Sequence, residues 1–224
     1  MGTVKYRIRG SDYVGAYAVA TERYCFVGID ANGTMESIIA EALKVDVVRV
    51  SVGSSGFIGV LAKANSNGML LSNLAEEREV EALKKAHTGM NISVMRSALN
   101  ATGNNILAND KIAIVNPDYD ADDVRQISDI LGVEVVRAEA GGFKTVGANN
   151  LLTNSGFAVN NRSTDPEKER MDACTGFGSV RTTANGGSLS IGISALANSK
   201  GIIAGAATTG FELARIMEAL NLND

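Results

Sequence analysis

Val48-Arg49-Val50-Ser51-Val52 alternates apolar and polar side chains, the period-two signature of a half-buried strand. The same alternation stands 44 residues earlier, in Val4-Lys5-Tyr6-Arg7-Ile8. Ile92, Val136 and Val180 continue the ladder from Val48 at the same 44-residue step. A second ladder, Gly15, Gly59, Gly103, Gly147 and Gly192, keeps that step with one late slip of a single residue. Five such units account for 220 of the 224 residues. Periods of this size belong to solenoids, propellers and arrays of supersecondary units. A count that stops at five and uses the whole chain points to a closed ring.

Each unit follows one plan. After the register glycine comes a short apolar stretch ending near Ala20, Ala64, Ala108, Thr153 or Ala197. A polar turn follows, such as Asn65-Ser66-Asn67-Gly68 or Asn109-Asp110-Lys111, and then a second apolar run. That pattern reads as a hairpin. A helix comes next. Met35, Ile38, Ile39, Ala42 and Leu43 form one apolar stripe, with Thr34 as the expected N-cap. Asp120 is the expected cap of a helix carrying Val124, Ile127, Ile130 and Leu131, and Asp165-Pro166 starts another. Leu213, Ile216, Met217 and Leu220 make the last stripe, while Glu76 to Lys85 is more polar. A third strand ends every unit but the fifth, whose strand is expected from Val4, Tyr6 and Ile8 at the other terminus. The predicted fold is an α/β five-bladed propeller with fivefold pseudosymmetry, residues 1–224 forming one domain closed by the N-terminal strand.

Composition narrows the function. A 45% hydrophobic content supplies a sizeable core, and the net charge of −4 disfavours a protein gripping nucleic acid mainly through phosphates. Two cysteines, no secretion signal and no long apolar run suggest a cytoplasmic protein with reduced thiols.

Candidates for chemistry are few. His87, Cys25 and Cys174 are the sole histidine and thiols. Aligning the helices puts His87 and Cys174 at the position of Leu43, Leu131 and Leu220, and Cys25 aligns with Met69 and Ala113, so all three read as core positions. They do not compose a metal site. Asp118, Asp120, Asp122 and Asp123 read as a helix start. Gly53-Ser54-Ser55-Gly56 and Gly141-Gly142 share only their glycines with phosphate loops. Asn65, Asn67, Asn104, Asn105, Asn109, Asn149, Asn150, Asn154 and Asn198 cluster near turns and register glycines. They read either as turn chemistry or as a polar binding face at one end of the ring.

Asn109 to Asp120, with Asn116-Pro117-Asp118-Tyr119 at its end, resembles the translation initiation factor 6 family of ribosome anti-association factors. So do Ile130 to Arg137, Ser97-Ala98-Leu99 leading to Gly103-Asn104, Thr153 to Gly156, and Asn67 to Leu71. The end after Leu222 resembles the short archaeal form. The resemblance implies a fivefold "pentein" ring that binds the joining face of the large ribosomal subunit and blocks the small one. It implies contact with a ribosomal protein beside the sarcin–ricin loop and some rRNA contact. It also implies a monomer without cofactor, metal, membrane or small-molecule substrate. Carried over by position, Gly15, Val60, Gly103, Asn104 and Ser190 are the expected ribosome-facing residues. At Val60 the pattern departs, since eukaryotic relatives carry arginine there. The fold also hosts arginine-modifying enzymes with an axial Cys–His site. That alternative fits poorly, because Leu189 to Asp224 contains no cysteine; a protein-binding scaffold with another partner is the third reading.

Overall fold

The computed structural model describes residues 2–86 and 88–222, and those residues form five three-stranded sheets of one design. In the first blade Ala18–Ala20 pairs antiparallel with Tyr24–Gly28, which pairs parallel with Asp46–Val50. The helix Gly33–Leu43 makes the crossover that parallel neighbours require. The second blade uses Ala62–Ala64, Gly68–Leu71 and Asn91–Val94 around the helix Glu77–Lys85. The third uses Ile106–Ala108, Ile112–Val115 and Glu134–Arg137 around Ala121–Leu131. The fourth uses Leu151–Leu152, Phe157–Asn160 and Val180–Thr182 around Asp165–Thr175. The fifth takes Ala195–Asn198 and Gly201–Gly205, with the helix Gly210–Ala219. Its outer strand is Gly2–Tyr6, parallel and in register from Gly2 opposite Gly201 to Tyr6 opposite Gly205. The N-terminal strand therefore clasps the ring as expected.

The register glycines prove the closure. A Cβ added at Gly59 would lie 1.8 Å from Gly15 O; at Gly103, 2.0 Å from Gly59 O; at Gly147, 2.2 Å from Gly103 O. The chain of contacts continues from Gly192 to Gly147 O at 2.0 Å and returns from Gly15 to Gly192 O at 2.3 Å. Backbone meets backbone at every step, so only glycine fits. The hairpin turns form a second set of links. Asn65 Nδ2 donates to Asn109 O, Asn109 Nδ2 to Thr153 O, and Asn198 Nδ2 to Thr21 O, at 3.0, 3.0 and 3.1 Å. The last of these joins the fifth blade to the first by the same bond that joins the second to the third.

Five clusters of apolar side chains fill the wedges between blades, with each helix lying in a wedge. Leu196 and Ile203 of the fifth blade, for example, meet Cys25 and Val27 of the first across Ile39 and Leu43. Each aliphatic side chain fully buried this way contributes roughly 1.5–3 kcal/mol.

Several sequence expectations shift by a residue or two. Asn32, not Thr34, caps the first helix, its Oδ1 accepting from Met35 N–H at 2.8 Å, and Thr34 lies inside the helix. The five caps are Asn32, Glu76, Asp120, Thr164 and Thr209. In the valine ladder, Val4, Val48, Val136 and Val180 face the equivalent positions Ile203, Phe26, Ile114 and Ala158, but Ile92 faces Met69, one position earlier in the register. The glycine slip also has a location. The turns bridged by Ile8–Ser11, Val52–Ser55 and Ala140–Phe143 are one residue shorter than the turn bridged by Ala184–Ser188. Cys174 is displaced too: Leu43, Leu131 and Thr175 directly precede left-handed C-caps, so Thr175 holds the core register and Cys174 sits partly buried at the cluster's margin. His87 lies outside the described residues.

Candidate functional site: the axial face

Around the pseudosymmetry axis, each blade begins with a single helical turn entered through one backbone geometry. Tyr13, Phe57, Ala101, Thr145 and Ser190 all hold φ between −80° and −89° with ψ between 59° and 67°. Each is followed by an anchor with 0% exposure: Val14, Ile58, Thr102, Val146 and Ile191. Thr102 is the isosteric exception in an aliphatic series, and its Oγ1 has no hydrogen-bond partner. The anchors fix five loops on one end of the ring, and the register glycines pack behind them.

All five nominated residues fall on this end, but they occupy three different registers. Gly15 and Gly103 belong to the glycine ring, are buried, and offer no side chain. Val60 and Asn104 follow register glycines and are partly exposed. Asn104 Oδ1 is enclosed without a hydrogen-bond partner. Ser190 sits in the loop-entry register, and its hydroxyl donates to Asn149 Oδ1 of the neighbouring blade at 3.1 Å. Sequence reasoning missed Tyr13 and Phe57, which share the register of Ser190 and are 42% and 47% exposed. The Phe57 ring meets Tyr17 at a centroid distance of 4.9 Å. Counting back two residues from each register glycine would have found both.

The asparagines divide between the two ends of the innermost strands rather than sharing one face. Asn65, Asn109 and Asn198 occupy the hairpin end, where each Oδ1 accepts from N–H groups of its own turn. Asn105, Asn149 and Asn150 occupy the glycine end and donate to carbonyls one helical turn back. Turn and loop chemistry accounts for these six.

The other sequence candidates have structural duties. Asp120 caps its helix by accepting from Asp122 and Asp123 N–H, and Asp123 returns the bond to Asp120 N–H. Asp118 pairs with Lys144 at 2.7 Å. The glycine runs do hold anions, but the chain's own. Gly53 and Ser54, with positive φ of 60° and 56°, direct their N–H groups onto Glu79, and Gly186 and Gly187 do the same for Glu212. Gly141 and Gly142 receive Glu167 likewise. These glutamates stand at the third position of their helices, where they also complete capping boxes. Burial alone raises the Glu212 carboxyl, but bonds from Thr209, Thr183, Gly186 and Gly187 outweigh it and take the pKa down to about 2. Cys25 is fully buried, and burial pushes its thiol far up. Neither cysteine lines the axial channel, where a nucleophile of the arginine-modifying kind would stand. Among the described residues no helix is long and apolar enough to cross a membrane.

Comparison with known proteins places this geometry. A solved dimethylarginine dimethylaminohydrolase, in adduct with S-methyl-L-thiocitrulline, aligns with 89% of this chain and 88% of its own. Its identity is 13% and its TM-score 0.49, too remote to bear on function. Sequence relatives are much nearer. A translation initiation factor 6 from Methanoculleus marisnigri is 38% identical over 215 residues, 94% of each chain. One from Pyrococcus abyssi is 37% identical over 216 residues, 95% of each chain. A model of the eIF-6 family matches residues 3–219, from the clasping strand to the last helix. The chain belongs to the translation initiation factor 6 family.

Proposed function

We propose that this chain binds the large ribosomal subunit at its subunit-joining face and, by occupying that face, keeps the small subunit away. The observation that carries the reading is the end-to-end match to the eIF-6 family, over residues 3–219. The axial face supplies a physical means. Five loops converge there on rigid anchors, and Tyr13 and Phe57 expose rings of the kind that dominate interface energetics. A stable complex needs at least about 1,000 Å² of buried surface, which one end of the ring can provide.

Occlusion requires no chemistry, only a footprint that the small subunit also needs. In this reading Val60, Asn104 and Ser190 contact the partner, while Gly15 and Gly103 hold the loops in place. Turning the Asn104 amide outward onto a partner N–H relieves its orphaned acceptor, since a buried polar group without a partner costs about 1–3 kcal/mol. With a net charge of −4, the main contact is a ribosomal protein beside the sarcin–ricin loop, with rRNA secondary. The chain acts as a monomer in the cytoplasm.

Sucrose-gradient sedimentation tests this. The protein should travel with purified large subunits and abolish the joined peak when small subunits are added. Asn104→Ser and Phe57→Ala should each weaken both effects about tenfold, the scale of a moderate interface residue. A protein that stays at the top of the gradient while subunits join would overturn the proposal.

A further inference from the structure

The fourth residue after each register glycine is Val19, Lys63, Leu107, Leu151 or Leu196. Four are aliphatic and fill the wedge toward the next blade; the second blade alone puts a lysine there. Lys63 lines the axial channel together with the five register glycines, around a cavity of about 60 Å³. It remains partly exposed because the channel is open, yet the neighbouring protein partly desolvates its head group. Burial takes the ammonium down to about 8, so most of it stays charged at neutral pH.

Among the described residues nothing compensates that charge. No carboxylate pairs with Lys63 and no acceptor receives its Nζ, and Lys63 is the one titratable residue lining this part of the channel. Glu22 and Asp110 lie at the hairpin end of the axis and are engaged there. Glu22 accepts from Ser199, and Asp110 from Ser66 and Asn154. A partly desolvated charge without a partner is stabilised when something of opposite sign joins it.

We propose that the axial channel is a binding site for a small carboxylate-type anion of acetate or bicarbonate size, held by the Lys63 ammonium. The cavity admits roughly four water-sized groups, which suits such an anion and excludes a nucleotide or a sugar phosphate. A channel open to solvent gives the anion a path in. The close ring of glycine backbones keeps larger groups from the ammonium.

The test uses the full chain labelled with ¹³C at lysine Cε, in halide-free buffer with ionic strength held by a bulky sulfonate. Titration with acetate, and separately with bicarbonate, should shift the Lys63 signal with half-saturation below about 10 mM. The Lys63 titration midpoint should rise by about one pH unit at saturation, because the bound anion favours the charged form. Thermal unfolding in parallel should show stabilisation by either anion that Lys63→Met removes. Lys63→Met restores the aliphatic pattern of its register, so it should fold at least as stably as the parent in anion-free buffer. A Lys63 signal that does not saturate by about 100 mM, or equal stabilisation of parent and Lys63→Met, would overturn the site.

Discussion

At Gly103 an added methyl group would lie 2.0 Å from Gly59 O and 2.5 Å from Ala62 O, both backbone atoms that cannot step aside. Gly103→Ala should therefore cost at least about 3 kcal/mol, because relief requires moving a whole blade. Gly210→Ala is the matching control: it sits at the first turn of the last helix with open space around it. Chemical denaturation should separate the two variants clearly, and equal midpoints would refute the ring packing. The glycine ladder was legible in the sequence, but its meaning was not. Identical spacing showed that glycine is required without saying that the reason is a neighbouring carbonyl. For the same reason spacing alone does not reveal that Gly15 and Gly103 are buried against neighbouring backbone. Lys63 escaped notice because one lysine in a short apolar strand looks like a solvated position until its four aliphatic counterparts are aligned.

Helices in this protein are docked at their first turn by an electrostatic device repeated in three blades. Glu79, Glu167 and Glu212 each complete a capping box and bind the N–H groups of a tight turn, joining helix start to strand end. Glu212 makes the sign of its pH dependence plain. Its folded pKa of about 2 lies below the ordinary glutamate value of 4.5, so its stabilisation is present in full above pH about 5. That stabilisation, about 3 kcal/mol by linkage, is lost as pH falls from about 5 toward 2. Unfolding free energies from pH 7 to pH 3 should fall less in Glu212→Gln than in the parent, and parallel profiles would deny Glu212 this role. Element types were readable because hydrophobic periodicity reports them directly. Boundaries were not, because caps depend on which side chain reaches which N–H. Asn32 won over Thr34 since only Asn32 stands outside the helix with extended backbone, at φ −94° and ψ 161°.

The ring as a whole depends on five residues at its N-terminus. Gly2–Tyr6 completes the fifth sheet, and Val4 and Tyr6 pack on the cluster between the fifth and first blades. Deleting residues 2–8 leaves the Gly201–Gly205 edge unpaired, a template for intermolecular pairing. The truncated chain should unfold at lower temperature and self-associate on a sizing column, and a synthetic peptide of the missing segment should restore both properties. Rescue is expected because the strand enters parallel to an existing edge and needs no rearrangement of the other four blades. If truncation leaves the melting profile unchanged, the clasp contributes nothing to closure.

Charge decides the last expectation at this scale. On the proposed function, an acidic molecule joins a particle coated in phosphate and must either concentrate its cations on the contact or rely on a protein neighbour. Among the described residues nine basic side chains are tied to carboxylates of the same chain, among them Lys144 with Asp118 and Arg181 with Asp165. The exposed axial rings Tyr13 and Phe57 carry no charge, so few counterions leave when that face is covered. Neutralising one or two phosphates predicts a loss in affinity of about tenfold or less between 50 and 200 mM salt, against roughly a thousandfold or more for six to ten. Binding to purified large subunits across that range measures the slope directly. A steep slope would move the proposed contact from a ribosomal protein to rRNA and would require cations outside these ion pairs, Lys63 among them, to line the interface.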